Sequence, residues 1–531
     1  MNIRDVLFSG LTIFHISITI ELRKPTASVR KSSARPMESG WFSNPKRKEG
    51  MHVRKILLLV LIFCLVLPLA ACGDKGDNGT PTASSGGGSQ GTGDPYLDSL
   101  PSRDYGMTDF NVLCTTQTEG FYNVTTEDQD PVSSSVYERN AAVEAKYKVL
   151  FKYTAMDGNK TGQDAFATAI RTAAQLDHGY DLIVGQQYYC LPAATEGNLQ
   201  DLSGSEYLHW DEVWYSPKIN DNASVNGKIY GASGSYIMSQ ISYAMATFYN
   251  KERWDALNTG DDLYQMVRDR EWTYERLYEY AANYYTDSDT SNTKNDSDVF
   301  GYVYNAHGIA ASIAASDTPI TTRREDGSMT ILDYYTPHLV NVFEDYFDFY
   351  NNSLGTYRRA DDYGPAIMLA SGNALFACAQ LGVMNDCSEL KNSNYHYGVL
   401  PMPLYDTEQS EYFTYTMRWE LFYIPTNADF ERSSIVLEYL NYTSEKYIIP
   451  AYWEEALTLR AADDEQDSEM MYIVRDALWY DFVTFFNHEI PMRDAVASQI
   501  HNGSTRLSSW WNSNHDILEA NLQSVLQRYG T

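Results

Sequence analysis

Short apolar runs alternate with amphipathic stretches along the middle of the chain, and this pattern predicts its secondary structure. Short apolar runs bounded by polar residues predict strands, whereas apolar residues spaced three and four positions apart predict helices. The predicted strands are Phe110–Thr116, Lys148–Thr154 and Asp181–Gly185, and the helices between them are Tyr137–Tyr147 and Gly162–Leu176. This alternation predicts βαβ units, and therefore an α/β fold with a parallel sheet.

Polar residues follow the first and the third of these predicted strands. Gln117 and Glu119 come after the first strand, and Gln186, Gln187 and Tyr188 come after the third. In open parallel sheets, ligands bind outside the carboxyl ends of the strands. The strand pattern therefore points to these two loops as part of a ligand-binding site.

A basic and then apolar stretch, Met51–Gly73, lies upstream of the predicted sheet. Arg54 and Lys55 precede an apolar run from Ile56 to Leu67, which is short for a membrane span. A basic head, an apolar run and small residues are the parts of a secretory signal. The run ends in Leu-Ala-Ala-Cys72, which resembles the lipobox of bacterial lipoproteins.

The lipobox resemblance implies that residues 51–71 are removed as a lipoprotein signal peptide and that Cys72 is lipidated. Acyl chains on Cys72 would hold the protein at the extracellular face of the cell membrane. An ordinary secretory signal with a chance cysteine is the alternative. Because a signal begins at its own methionine, residues 1–50 are predicted to be a misassigned upstream extension; a genuine first membrane span with a basic linker is the alternative.

The residues after Cys72 are predicted to form a flexible linker over 72–103. Gly73–Gly93 is rich in Gly, Ser, Thr and Asp and has almost no apolar residue. Such a composition cannot bury a core and is typical of flexible chain.

The charge and composition of the chain restrict its partners. It has 70 Asp and Glu against 40 Lys and Arg, a net charge of −30 at pH 7. This balance excludes nucleic acid as a partner, since phosphate binding needs clustered cations. The 42 tyrosines and 10 tryptophans are typical of extracellular carbohydrate-handling proteins, in which rings stack on sugar faces, although tyrosine also serves in cores.

Four cysteines lie outside the signal and the lipobox: Cys114, Cys190, Cys378 and Cys387. An oxidising compartment permits a bridge within each of the pairs Cys114–Cys190 and Cys378–Cys387, and buried free thiols are the alternative. None of the four has the C-x-x-C spacing of a metal or redox site.

Several motifs occur in the order found in extracellular solute-binding proteins of ABC importers (family 1, which includes maltose-binding protein), and the chain resembles that family from Phe110 to its C-terminus. An apolar strand runs into the turn Tyr249-Asn-Lys-Glu252, and Trp272-Thr273 precedes a predicted helix, Glu275–Tyr284. The later matching segments are the predicted strands Val299–Tyr302, Gly372–Phe376, Tyr397–Pro403 and Leu421–Pro425 and the predicted helix Phe430–Leu440. Asp516–Tyr529 is predicted to be an amphipathic helix, whose apolar side consists of Ile517, Leu518, Leu522, Val525 and Leu526.

The resemblance implies a two-lobed periplasmic-binding-protein-like fold of type II. Each lobe would be a mainly parallel sheet flanked by helices, and three hinge crossings would connect lobe 1 (104–246 plus 402–447) to lobe 2 (247–401 plus 448–531). It also implies a binding protein rather than an enzyme, with no cofactor. Such a protein would capture an extracellular solute, here a mono- or oligosaccharide, and deliver it to two permease subunits and an ATPase.

The candidate ligand-binding residues are those predicted to lie at the cleft between the lobes or at the hinge. Aromatic faces would stack on sugar rings, and polar side chains would bind hydroxyl groups. Each tryptophan among them is equally compatible with packing in the core. The candidates are Gln117, Glu119, Gln187, Trp214, Tyr243, Arg418, Trp419 and Trp453.

No catalytic residue and no metal ligand is predicted. Asp287–Asp298 has oxygen-bearing side chains at positions 1, 3, 5, 7, 9 and 12 of a calcium loop, but Asn292 and Lys294 stand where glycine and an apolar residue are expected, so a solvated polar loop is predicted. His488-Glu489 lacks the second histidine of a zinc helix. Two further functions stay open: a surface glycoside hydrolase with a carboxylate pair, and a binding protein for a peptide or another small solute.

Overall fold

The computed structural model describes residues 94–126, 130–176, 179–418, 420–458 and 465–529. The predicted signal, the lipidation site Cys72, the residues before them and most of the predicted linker lie outside these ranges, as does Trp419. None of the helices in the described ranges has the length and apolar character that a membrane span needs.

The strands fall into two sheets and a small hairpin. They are β1 (Thr108–Thr115), β2 (Val149–Met156), β3 (Leu182–Gln186), β4 (Met245–Asn250), β5 (Tyr285–Thr286), β6 (Val299–Tyr304), β7 (Thr322–Arg323), β8 (Met329–Thr330), β9 (Thr356–Arg358), β10 (Ala374–Gln380), β11 (Tyr397–Leu400) and β12 (Glu420–Tyr423).

The first sheet has the strand order β12-β3-β1-β2. β1 runs parallel to β2 and to β3, with Val112 paired to Leu182, and β12 runs antiparallel to β3. The parallel sheet predicted from the strand–helix alternation is therefore confirmed.

The second sheet has the order β11-β4-β10-β6-β5, and β9 also pairs with β6. β10, β6 and β9 form a parallel core, whereas β4 and β11 pair antiparallel and β5 is antiparallel to β6. This sheet contains more antiparallel pairs than the mainly parallel sheet that was predicted. The reason is that β4, where the chain enters the sheet, and β11, where it leaves, run antiparallel to each other. β7 and β8 form the hairpin.

Helices cover both sheets. They are α1 (Pro95–Ser99), α2 (Pro131–Tyr147), α3 (Gln163–Ala173), α4 (Gln187–Cys190), α5 (Pro192–Thr195), α6 (Pro217–Ala223), α7 (Met238–Ser242), α8 (Lys251–Leu257), α9 (Leu263–Arg268), α10 (Tyr274–Ala281), α11 (Ala306–Ala315), α12 (Pro337–Asn352), α13 (Gly364–Ala370), α14 (Val383–Asp386), α15 (Ser388–Lys391), α16 (Phe430–Thr443), α17 (Ile449–Thr458), α18 (Glu465–Asp476), α19 (Phe482–Phe485), α20 (Ala495–His501) and α21 (Leu507–Tyr529). A π-helical turn, Ser444–Ile448, joins α16 to α17.

Side-chain caps set the starts of the long helices. The carboxylate of Asp130 accepts the N–H of Ser133 at the start of α2, and Asp429 accepts the N–H of Arg432 at the start of α16. Each cap satisfies a backbone donor that has no partner inside the helix. α2 ends where Lys148 takes a left-handed conformation, with φ of 55°.

The two faces of β1 pack into different apolar clusters. Phe110, Val112 and Cys114 are buried together with residues of α16, and Leu113 is buried together with residues of α3. This alternation follows from the two-residue period of a strand. The sheet is therefore covered on both faces, as parallel sheets require.

The first described residues differ from the flexible linker predicted over 72–103. Asp94 caps α1, and its carboxylate binds the Lys446 ammonium and the Tyr442 hydroxyl. Leu97 and Leu100 are buried. Two apolar side chains and a buried carboxylate therefore hold this stretch against α16.

The C-terminal residues contact elements of both sheets, whereas the sequence predicted all of 448–531 in lobe 2. α17 contacts α2 beside the first sheet, and α18 contacts β11 of the second. At the end of α21, the Tyr529 hydroxyl donates to the Leu191 carbonyl, 3.0 Å away. Leu518, Leu522 and Val525 of this helix are buried as predicted, but Ile517, placed on the same apolar side by the sequence, is 62% exposed.

All four cysteines in the described residues are buried free thiols, and neither of the two possible bridges is formed. Burial raises the pKa of Cys114 and of Cys378 to about 12.

Candidate functional site

A cavity of about 280 Å³ opens at the carboxyl end of β1, between the two sheets. One side of the cavity comes from the loop after β1 and the start of α2, the segment after α7 contributes Tyr243, and the other side comes from the end of α14 and from α17. Its lining is Gln117, Thr118, Gly120, Phe121, Asp130, Val132, Ser133, Ser242, Tyr243, Asn385, Asp386 and Tyr452.

Two larger cavities lie elsewhere. One of about 900 Å³ is enclosed by α1, α2 and the end of α16, and one of about 530 Å³ lies between the loop around Trp210 and the end of α18. We take the smaller cavity as the candidate site, because open α/β sheets bind ligands outside the carboxyl ends of their strands and only this one lies there among the three.

Gln117 is held at the rim of the cavity by residues that follow β2. Its Nε2 donates to Asp157 Oδ1 over 2.8 Å, and its Oε1 accepts the N–H of Gly158 over 3.0 Å. Hydrogen bonds from the N–H of Asn159, from Thr161 and from Gln117 lower the pKa of Asp157. The carboxyl ends of β1 and β2 are thus joined by polar side chains. Glu119, one turn further on, accepts from Asn123.

Tyr243 lies beside Arg418, and both were predicted from the sequence. The Arg418 guanidinium carbon is 5.1 Å from the centroid of the Tyr243 ring, within the range of a cation–π contact. Arg418 Nη2 donates to Asn159 Oδ1 over 3.4 Å, which links this pair to the loop that holds Gln117. The structure therefore brings Gln117, Tyr243 and Arg418 together.

Asp386 lines the cavity and Tyr363 lies close to it, and sequence reasoning missed both. Desolvation, together with the nearby charge of Asp386, raises the pKa of Tyr363 to about 12. Desolvation within the cleft also raises the pKa of Asp386. Tyr363 is 36% exposed, so part of its ring can meet a ligand. No local pattern marked these residues, because they reach the cleft only through the packing of α13 and α14.

Tyr188, which follows the third predicted strand, is a further aromatic residue near Arg418. Its ring centroid is 5.3 Å from that of His488. Burial raises its pKa, and the charges of Arg418 and Arg493 oppose that rise, so both guanidinium groups lie near the ring. Aromatic and basic groups therefore lie together near Arg418.

Three of the predicted residues lie away from the cavity. Gln187 is fully buried, and its Nε2 donates to the carbonyl of Thr484. Trp214 is 6% exposed, and its ring N–H donates to Glu438 on α16. Trp453 is 2% exposed and packs against Tyr472. Both tryptophans therefore pack in the core, which was the alternative to a ligand-binding role.

One group of carboxylates in the described residues is close enough together to hold a cation. Oxygen atoms of Asp287, Asp289 and Asp298 lie within 4.8 Å of one another. The same carboxylates accept backbone N–H groups of the loop, including those of Ser291 and Asn292. Hydrogen bonds of this kind also stabilise a polar loop that binds no cation. The solvated polar loop therefore stays a prediction.

Comparisons with known proteins give structural matches only. No protein-family model matches the chain, and no curated protein matches it. A cyclo/maltodextrin-binding protein complexed with maltotetraose is similar over 78% of this chain and 97% of its own, with a TM-score of 0.51 and 14% identity.

Two further similar structures are also of binding proteins. An ABC substrate-binding protein from Listeria monocytogenes in complex with cycloalternan covers 77% of this chain and 98% of its own, with a TM-score of 0.47 and 15% identity. A family 1 extracellular solute-binding protein from Bifidobacterium longum subsp. infantis covers 79% and 100%, with a TM-score of 0.48 and 14% identity. At 14% identity the likeness to the cyclo/maltodextrin-binding protein shows the fold alone: the chain has the α/β fold of type II periplasmic-binding-protein-like structures, as the sequence predicted.

Proposed function

We propose that this protein is the substrate-binding lipoprotein of an ABC importer and that it captures an extracellular mono- or oligosaccharide. The observation that carries the proposal is the cavity at the carboxyl end of β1, in which Tyr243 lies among polar side chains from both sides. Ring faces and hydroxyl-binding polar groups are what a sugar site needs. The fold supports it, because proteins of this fold close two lobes on a ligand by hinge motion.

The proposal includes two lobes that move about the hinge. Lobe 1 is residues 104–246 plus 402–447, and lobe 2 is residues 247–401 plus 448–531. Ligand contacts from both lobes would stabilise the closed form, because a ligand shifts an equilibrium toward the state that it binds better. The closed form then presents a changed surface to two permease subunits and their ATPase.

A thermal-shift screen of the purified protein tests the ligand class. The panel contains mono- and oligosaccharides, with amino acids and short peptides as controls. A ligand that binds only the folded state at a hundredfold excess over its Kd stabilises it by about 2.7 kcal/mol. Stabilisation by a sugar that is recovered unchanged supports the proposal. A sugar recovered cleaved makes the protein a glycoside hydrolase, and stabilisation by peptides alone replaces the sugar with another solute.

Lobe closure is tested by small-angle X-ray scattering with the ligand from that screen. The radius of gyration is expected to fall when the ligand is added. An unchanged radius at saturating ligand contradicts the hinge mechanism.

Lipid anchoring at Cys72 is part of the proposal and needs its own test. The protein is expressed in bacteria supplied with a labelled fatty acid, and membrane and soluble fractions are compared. Label and membrane association are expected for the wild type and should both be lost in Cys72→Ala. Equal membrane association of the two forms would point to another anchor.

A further inference from the structure

Glu420, the first residue of β12, is a fully buried carboxylate directly behind the candidate site. Its Oε1 accepts hydrogen bonds from the hydroxyls of Thr115, at 2.8 Å, and Thr118, at 3.2 Å. Its Oε2 accepts from the hydroxyl of Ser239, at 2.7 Å. A buried carboxylate is tolerated only where such donors replace its water, so these contacts are needed in the folded protein.

Each partner of Glu420 adjoins a residue of the cleft. Thr115 and Thr118 flank Gln117, and their hydroxyls lie 2.8 Å from each other. Ser239 belongs to α7, the short helix that ends directly before Tyr243. The Glu420 carboxylate thus joins the end of β1 to the segment that carries Tyr243.

Arg418 is the fourth group near this carboxylate. Its Nη1 lies 3.7 Å from Glu420 Oε1, and its side chain is 12% exposed. Nη1 is buried and has no hydrogen-bond partner among the described residues, so the charge of Glu420 attracts this end of the guanidinium directly. The other end lies against the Tyr243 ring.

We infer that Glu420 is the positioning residue of the cleft: it holds the Gln117 loop, Tyr243 and Arg418 in one arrangement without touching the ligand. The inference rests on the proposed function, because it assigns the cleft as the ligand site. Glu420 is absent from the cavity lining, whereas Thr118 and Gln117 belong to it. Its effect on the ligand therefore passes through its partners.

Glu438 supplies a matched control. It is also fully buried, lies in the same half of the molecule, and accepts hydrogen bonds from Tyr96, Trp214 and Tyr215. None of these partners lines the cavity. Glu420→Gln and Glu438→Gln therefore remove the same charge from two buried hydrogen-bond clusters, of which one adjoins the cleft.

The test measures the Kd of the sugar found in the screen, by calorimetry, together with the thermal midpoint of each variant. Both variants are expected to lower the midpoint. Glu420→Gln is expected to weaken binding about tenfold, the equivalent of one misplaced hydrogen-bonding group, and Glu438→Gln to change the Kd by less than about twofold. Ser239→Ala, which removes one partner and keeps the carboxylate, should fall between them and serves if Glu420→Gln does not fold.

Wild-type affinity in folded Glu420→Gln, or in Ser239→Ala if that is the folded form, overturns the inference. An equal loss in Glu438→Gln also overturns it, because the effect is then a general loss of stability. If the wild type binds no sugar, the proposed function fails first. Crystal structures of the wild type and Glu420→Gln then decide the positioning role: displaced Arg418 and Tyr243 support it, and unmoved side chains overturn it.

Discussion

The guanidinium of Arg418 lies 5.1 Å from the centre of the Tyr243 ring, beside the candidate site. Tyr243 lines the cavity, whereas Arg418 supports it from beside the ring and is tied in turn to Asn159. Tyr243 and Arg418, both candidate ligand-binding residues from the sequence, thus contact each other in the folded protein.

Tyr243→Ala is expected to weaken sugar binding by about three- to tenfold, because a stacked ring contributes about 0.5–1.5 kcal/mol beyond its buried area. Tyr243→Phe keeps the ring and should stay close to the wild type. Arg418→Met, which keeps the stem and removes the charge, should have an intermediate effect. Calorimetry with the stabilising sugar measures all three. Wild-type affinity in Tyr243→Ala would remove this residue from the site.

Trp214→Phe and Trp453→Phe are expected to lower the free energy of unfolding by about 1–3 kcal/mol each and to leave the sugar Kd unchanged. Both rings are buried away from the cavity, and Trp214 also donates a hydrogen bond to Glu438. Urea denaturation gives the stability and calorimetry the affinity. A large rise in Kd without loss of stability would return either tryptophan to the ligand site.

Asp94 makes the stability depend on pH in a defined range. Burial alone would raise the pKa of its carboxyl, but hydrogen bonds from Lys446, Tyr442 and two backbone N–H groups outweigh it and hold the pKa at about 2, below the ordinary 3.8. Because the folded pKa is lowered, the stabilisation is complete above pH 4 and is lost as the pH falls toward 2.

Asp94→Asn keeps a side-chain oxygen that can cap α1 and removes only the charge. We expect it to lower the free energy of unfolding by about 1–2 kcal/mol at pH 6, after allowance for solvent around the exposed Lys446. The difference should shrink between pH 4 and pH 2 in urea denaturation. The exposed Asp98→Asn in the same helix is the control. A difference that is constant with pH would contradict the assigned charge interaction.

The four buried thiols are expected to stay unreactive in the native protein. Reaction needs the thiolate, and burial raises the pKa of each of them. A thiol reagent should label Cys114, Cys190, Cys378 and Cys387 only after denaturation, and a reductant should leave the thermal midpoint unchanged. Thiols that stay unlabelled in denaturant without reductant would indicate disulfides.

The alternation of strands and helices was enough to predict the α/β fold and the position of Gln117. Each strand and helix shows its own period of apolar residues, and the end of a strand is visible where that run stops. The strands β4 and β6 and the helix α16 were also found within a few residues of their observed bounds, because the resemblance to the solute-binding family identified their motifs.

The identity of the cleft residues depended on contacts between distant parts of the chain. Asp386 reaches the cavity, and Tyr363 lies close to it, through the packing of α13 and α14. No local period distinguishes them from other polar or aromatic residues. The sequence made Trp214 and Trp453 candidates for stacking on sugar rings. In the structure both are buried: Trp214 donates a hydrogen bond to Glu438, and Trp453 packs against Tyr472.

The sequence by itself determined which segments form strands and helices, since the buried face of each element is visible in the spacing of its own apolar residues. Only the tertiary structure decided which side chains meet at the cleft and that Glu420 stands behind it. That carboxylate joins Thr115, Ser239 and Arg418, which are far apart in the chain. Contacts between such distant residues depend on how the two sheets and the segments between them pack together. The spacing of apolar residues along the chain does not predict that packing.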